Sequence, residues 1–244
     1  MRRTGPLSDR VKLALQRRLM VGAWRISERL GVDLAGATEG PPYVTDVERR
    51  RVLDELIDAA VAGDGTLDAA SCPYPAHELL THLVVERGLL LHGSNDIDLE
   101  TLEARPARDY RTELMSVAAC DDGIWPIFYA VLARRDGLAN VFTACMHLGP
   151  PHRLRRFYMF VVFDADPRVS GTWTRGAVYA VSRSGFRREW GNEWVSPGPV
   201  LPLLRVLVGP EDFPLHDAVL GATADDVGKI NRRLREAKRS RVIG

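Results

Sequence analysis

The chain lacks any long apolar run: nothing in its 244 residues approaches the roughly 18 apolar residues of a membrane-spanning helix. The first residues carry arginines but no apolar segment resembling a secretory signal core. The expectation is a soluble, cytoplasmic protein with no membrane partner. Cysteine is scarce: Cys72, Cys120 and Cys145 are odd in number and widely spaced, which argues against a disulfide framework. An excess of one charge is missing too. Lys and Arg total 33 against 32 Asp and Glu, a net charge of +1, so the whole molecule is not an electrostatic nucleic-acid binder. Internal repeats and low-complexity segments are absent. "HELLTH" lacks the metalloprotease spacing, because His77 and His82 stand five positions apart, about 140° around a helix rather than on one face. Cys72, Cys145, His147 and His152 follow no known zinc-ligand spacing, so no metal is expected.

What is present is a chain 45% hydrophobic, long enough for one domain with an appendage or for two small ones. Its charge is uneven. Residues 1–25 carry seven Arg or Lys against Asp9, and "KINRRLREAKRSR" near the end carries seven against Glu236. These termini are solvated helix faces or weak contacts for nucleic acid or an acidic partner. Residues 8–30 read as a helix capped by Ser8 and stopped by Gly31. A second helix begins at Thr45 in a capping box with Glu48, and a third, "PAHELLTHLVVE", runs from Pro75. From residue 88 the texture changes to short runs rich in Val, Phe, Tyr and Leu: "LLLHG", "MSVAA", "FYMFVVF", "AVYAV", "EWVS" and "LLRVLV". One helical segment, "DGIWPIFYAVLARR", lies between the second and third runs, and Thr223 starts a final basic helix. The predicted fold is α+β: an all-helical region over 1–86, a strand-dominated domain over 87–220 and a basic helix over 221–244.

Two stretches carry candidate chemistry. "GLLLHGSNDI" ends an apolar strand on His92, followed by the small residues Gly93 and Ser94. An imidazole at a strand end can bond a ligand hydroxyl, and a glycine lets the backbone approach a flat ring. About a hundred residues on, "GNEWVSPGPVLPLLRVLV" sets Glu193 at the start of another strand. Together, "LLLHGS" and "NEWVS" resemble the catalytic core of the ADP-ribosyltransferases, in particular the poly(ADP-ribose) polymerase-like branch with its His-Tyr-Glu signature. The likeness covers residues 88–210 or thereabouts. It implies a split β-sheet core, NAD as the substrate, and an unidentified macromolecule or water as the acceptor of ADP-ribose. The middle strand of the family falls on "AACD", 118–121, so Ala118 stands where the stacking tyrosine of the signature belongs. Tyr129 falls at the spacing of the family's second tyrosine; it, Phe128 or Trp125 is the candidate aromatic face.

On that resemblance Glu193 and His92 are the catalytic candidates, and His92, Gly93, Ser94 and Tyr129 the NAD-binding ones. Cleavage of the nicotinamide–ribose bond passes through an oxocarbenium-like state, which a fixed carboxylate stabilises. Glu193 takes that role and holds the 2′-hydroxyl. His92 orients the adenosine-side ribose, the Gly93 backbone bonds the nicotinamide amide, Ser94 assists, and Tyr129 stacks on the ring. Arg183, Arg187 and Arg188, in the stretch ahead of Glu193, imply a preference for an acidic or phosphorylated acceptor, a solvated loop being the plain alternative. Two other readings remain: a non-catalytic module of the same fold that binds a nucleotide or a partner, favoured by Ala118, and an RNA 2′-phosphotransferase-like enzyme.

Overall fold

The computed structural model describes residues 37–106, 115–134, 141–148, 155–163 and 165–222. The helix read over 8–30, the final helix, both basic termini and His152 lie outside these residues.

Two helices come first. α1, Val47–Ala62, starts where the Asp46 side chain accepts from the Arg49 N–H, and stops at Gly63, whose N–H returns to the carbonyls of Ala59 and Ala60. The cap is thus Asp46 and not Thr45: a carboxylate one position later satisfies the free N–H and also favours the positive end of the helix. α2, Ala76–Val85, is buried along nearly its whole length. Strands are threaded through the same stretch, β1 (Thr38–Glu39) and β2 (Thr66–Asp68), so residues 37–86 are not purely helical. There follow β3 (Leu90–Ser94), β4 (Arg105–Pro106), β5 (Met115–Cys120), α3 (Trp125–Val131), β6 (Val141–Leu148), β7 (Arg155–Phe163) and β8 (Gly176–Val181). β9 (Arg187–Trp190), β10 (Glu193–Ser196), β11 (Leu204–Val208) and β12 (Leu220–Ala222) complete the described chain.

The fold is α+β, with two sheets. The larger runs β2-β11-β8-β3-β5-β10-β9, with β4 attached to β5; the smaller is built on β7, which pairs with β1, β6 and β12. Each of the six residues of β8 is buried, because both faces of the large sheet are covered there. On one face Leu91, Val178, Ala180, Leu204 and Val206 pack with α1, α2, α3 and the β7 residues Tyr158, Phe160 and Val162. On the other, Leu90, Val117, Ala119, Ala177, Tyr179 and Val181 pack under Leu99, Leu102 and Val200. α3 therefore sits between the sheets, with Ile127, Phe128, Ala130 and Val131 fully buried. Helices α1 and α2 share that core through Leu53, Ile57, Leu79, Leu80 and Leu83. Among the described residues no helix is long and apolar enough to cross a membrane.

Candidate functional site

β5 is the hinge of the site, because the two sequence motifs lie on the strands either side of it. Leu91 of β3 and Glu193 of β10 are both register partners of Cys120. His92 and Glu193 thus stand on strands flanking β5, about one residue apart in height. By strand alternation, however, Leu91 shares the face of Cys120 and Glu193, whereas His92, paired with Tyr179, leaves from the opposite face. β3 stays paired with β8 from Leu90 to Ser94, but Leu91–Cys120 is its only paired position with β5 among the described residues. Beyond it the two strands part, over His92, Gly93 and Ser94.

His92 closes that parting. Its Nδ1–H donates to the Ala118 carbonyl of β5 at 2.7 Å, which leaves Nε2 as the acceptor. Burial holds the imidazole below its ordinary pKa and the charges of Arg105 and Arg134 push the same way, against the Ala118 bond. The ring is therefore neutral at pH 7, with a lone pair to offer a hydroxyl.

Gly93 serves a different neighbour from the one its position first suggests. A Cβ there would lie 2.0 Å from the Pro126 carbonyl oxygen and 3.0 Å from the Ala130 nitrogen. The space a side chain would take is filled by the backbone of α3, so the missing Cβ admits a helix. A flat ring would have to approach along the strand edge. Ser94 is engaged locally, its Oγ accepting from the Asp96 N–H at 3.2 Å.

Tyr129 projects from α3 and donates or accepts with Thr143 Oγ1 of β6 at 2.7 Å, which ties the helix to the smaller sheet. Phe128 lies edge-on to it at 5.6 Å, and the Arg134 guanidinium stands 4.7 Å over the ring. Burial raises the Tyr129 pKa; Glu193 is near enough to add to that, and Arg134 to oppose it. Glu193 is partly buried, and β10 is bulged against β9 between Glu193 and Trp194. Ala118 is exposed and on the same face as Cys120 and Glu193 by strand alternation, so a small side chain stands at the mouth of the group.

Sequence reasoning missed the residue that braces this arrangement. Asp122 is fully buried. Its Oδ1 accepts from the N–H groups of Ile124 and Trp125, both at 2.8 Å, and so caps α3. Its Oδ2 accepts from His147 Nε2 of β6 at 2.8 Å and from the Tyr158 hydroxyl of β7 at 2.7 Å, with Arg156 Nε at 3.8 Å. Burial alone would raise the carboxyl, but the bond and charge of His147 and the charge of Arg156 outweigh it and hold Asp122 well below the carboxylate range. Asp122, Cys145 and His147 bring ligand atoms within 4.8 Å of one another. Both oxygens of Asp122 are already saturated, and Cys145 Sγ accepts from Asn192 Nδ2 at 3.3 Å, so the group reads as a hydrogen-bonded strut. An acid just ahead of a helix with proline in its first turn was the available signal.

The arginines ahead of Glu193 have partners within the chain. Arg183 Nε donates to the Gly88 carbonyl and Arg188 to Asp121, both guanidinium groups lying over the Trp194 ring at 5.0 and 5.2 Å; Arg187 pairs with Glu189. Two of them belong to β9, not to a loop. The set-aside histidines are structural. His82 donates from Nε2 to Asp54 and accepts at Nδ1 from the Tyr43 hydroxyl, and His77 is buried.

Compared with known proteins, the chain matches no family model, no curated protein and no solved structure.

Proposed function

We propose that the chain binds NAD where β3 and β5 part and cleaves the nicotinamide–ribose bond, passing ADP-ribose to a macromolecule or to water. The observation that carries this reading is the parting of β3 from β5 beyond Leu91, which frees the strand edge at His92 and Gly93 one register step from Glu193. A dinucleotide has two riboses, and the two side chains differ as those riboses require. The neutral imidazole of His92 offers an acceptor to the hydroxyls of the first. The Glu193 carboxylate faces the second, where positive charge builds on the anomeric carbon as neutral nicotinamide leaves. Tyr129, anchored to Thr143, supports the aromatic face. The strand edge beyond Leu91, unpaired with β5, supports amide recognition by the backbone of Gly93.

Glu193→Gln keeps the size and removes the charge. Nicotinamide release followed by mass spectrometry is expected to fall about 10²–10³-fold, the usual loss of one preorganised electrostatic contact. Equal release by variant and wild type would overturn the assignment of Glu193.

The exposed Ala118 favours a second reading, a binding module of the same architecture without chemistry. Saturable NAD affinity with no nicotinamide released would select it. The RNA phosphotransferase reading leaned on Arg183 and its neighbours, and their internal partners remove that support.

A further inference from the structure

The strut at Asp122 is built from three side chains that also bind metals. Cys145 and His147 stand two apart on β6, so both leave the same face of the strand, beside their register partners Tyr158 and Arg156 of β7. Asp122 comes to them from the turn between β5 and α3. A thiol, an imidazole and a carboxylate from two separate stretches of chain thus converge, each ligand atom within 4.8 Å of the others.

We propose that Asp122, Cys145 and His147 hold a zinc ion, with one position of the ion left open for water or a ligand. The site is independent of the NAD reading and needs neither His92 nor Glu193.

The donor set is the first support. Sulfur, nitrogen and oxygen in one group suit zinc, whereas magnesium and calcium take oxygen. Zinc bonds of about 2.0–2.3 Å set neighbouring ligand atoms about 3–4 Å apart, so the three already lie close to coordinating positions. His147 Nε2 donates to Asp122 Oδ2 at 2.8 Å. Coordination replaces that bond: the imidazole carries its proton on Nδ1 instead, and the Cys145 thiol releases its own to solvent.

The second support is what holds the ligands. The Tyr158 hydroxyl donates to Asp122 Oδ2 at 2.7 Å, the Ile124 and Trp125 N–H groups donate to Oδ1, and Asn192 Nδ2 donates to Cys145 Sγ at 3.3 Å. Hydrogen bonds made to the ligands themselves orient a metal site. The strut and the metal site are therefore one preorganised arrangement, drawing on the same lone pairs. The third support is charge and access. Arg156 Nε, 3.8 Å from Asp122 Oδ2, opposes a cation. A Cys145 thiolate and the Asp122 carboxylate together offset the two charges of zinc, so Arg156 makes the thiolate indispensable and disfavours an ion held by oxygen alone. Cys145 and His147 are only partly buried, which leaves an ion a path in.

The probe is Co²⁺, titrated into the chelator-stripped full chain, read by absorbance and then displaced by Zn²⁺. Wild type is expected to show a thiolate-to-metal charge-transfer band with the visible bands of a four-coordinate ion, both removed by Zn²⁺ and untouched by excess Mg²⁺. Cys145→Ser should lose the charge-transfer band and bind Zn²⁺ more than about 100-fold more weakly, beyond the usual loss from one outer hydrogen bond. Cys72→Ser should change neither. If Cys145→Ser does not fold, the wild type still decides: Zn²⁺ should protect Cys145 from alkylation by iodoacetamide, located by peptide mass spectrometry, and Mg²⁺ should not. Absence of the charge-transfer band in wild type, its survival in Cys145→Ser, displacement by Mg²⁺ or alkylation of Cys145 at the same rate with and without Zn²⁺ would each overturn the site.

Discussion

Gly93→Ala isolates what the central glycine does. An alanine Cβ at 93 would stand 2.0 Å from Pro126 O, more than an ångström short of ordinary contact, and 2.9 Å from Pro126 C, and both atoms are backbone. No rotamer relieves a backbone clash, so α3 or β3 must move. α3 has nowhere to go: Ile127, Phe128, Ala130 and Val131 are 0% exposed, and the Phe128 ring lies 4.5 Å from that of Phe160. β3 is held by five register partners in β8. Overpacking of this kind costs about 1–3 kcal/mol. Alanine returns a fraction of that, about 0.4–1 kcal/mol, by stiffening the unfolded chain. The expected net loss is about 1–2 kcal/mol, or roughly 2–8 °C in melting temperature for a domain of this size. Guanidinium unfolding followed by tryptophan fluorescence gives the number. Gly198→Ala is the control: nothing lies within 4 Å of its added Cβ, and the expected change is within about 0.5 kcal/mol. If Gly93→Ala unfolds at the wild-type midpoint, the close approach of α3 to β3 is wrong, and so is the account of why glycine stands there.

Asp122→Asn leaves Tyr158, His147 and Arg156 around a neutral amide and is expected to cost about 3 kcal/mol, read from the same denaturation curves. Because the folded Asp122 carboxyl is depressed, its contribution is present above the unfolded value near 4 and lost as pH falls below it, so the Asn variant should lack that acid limb. His77 is held down to about 4, chiefly by burial and then by Arg156, so its contribution is full above pH 6.5 and is lost as pH falls from 6.5 towards 4. Allowing for solvent screening, about 1–2 kcal/mol should go by pH 5, and His77→Gln should flatten that slope in pH-dependent melts. Ala118→Tyr should tighten nicotinamide binding by about 2–10-fold in calorimetry, since it adds one aromatic face beside Glu193; a weaker complex would mean that the ring lies elsewhere.

The strands that sequence made legible are those whose burial is local. β8 is apolar throughout because both its faces are covered, and β3 and β11 announce themselves by runs of leucine and valine. β6 was missed because Thr143, Cys145 and His147 break up its apolar pattern. Those residues face Tyr129, Asn192 and Asp122, partners the chain reaches only after folding. β9 read as a loop because its arginines suit solvent, yet β10 recruits it as a hairpin, stacking Arg188 on Trp194. β1 is two residues inside a glycine-rich connection and exists only because β7 lies beside it. His92 and Glu193 could be found since each sits at a strand end with a recognisable flank. The Asn95 amide could not, because its bonds reach the Ala130 carbonyl and the Arg134 N–H, 35 and 39 positions away.

His92 has a task before any ligand arrives. Its Nδ1 bond to Ala118 spans the place where β3 and β5 separate, so the ring substitutes for a ladder bond that the parted strands no longer make. That same bond fixes the tautomer and leaves the unshared pair on Nε2 as the acceptor. Separation of the strands, closure by the imidazole and presentation of an acceptor are one geometric event. The small side chain at 118 belongs to it as well: the carbonyl that receives the histidine comes from the residue whose side chain would otherwise narrow the mouth. Parting at β3 leaves a strand edge free of β5, while the brace at Asp122 holds α3 against both sheets. On the proposed reading the braced helix suits recognition of a sugar and an amide, and cleavage further requires that water be excluded once NAD is in place.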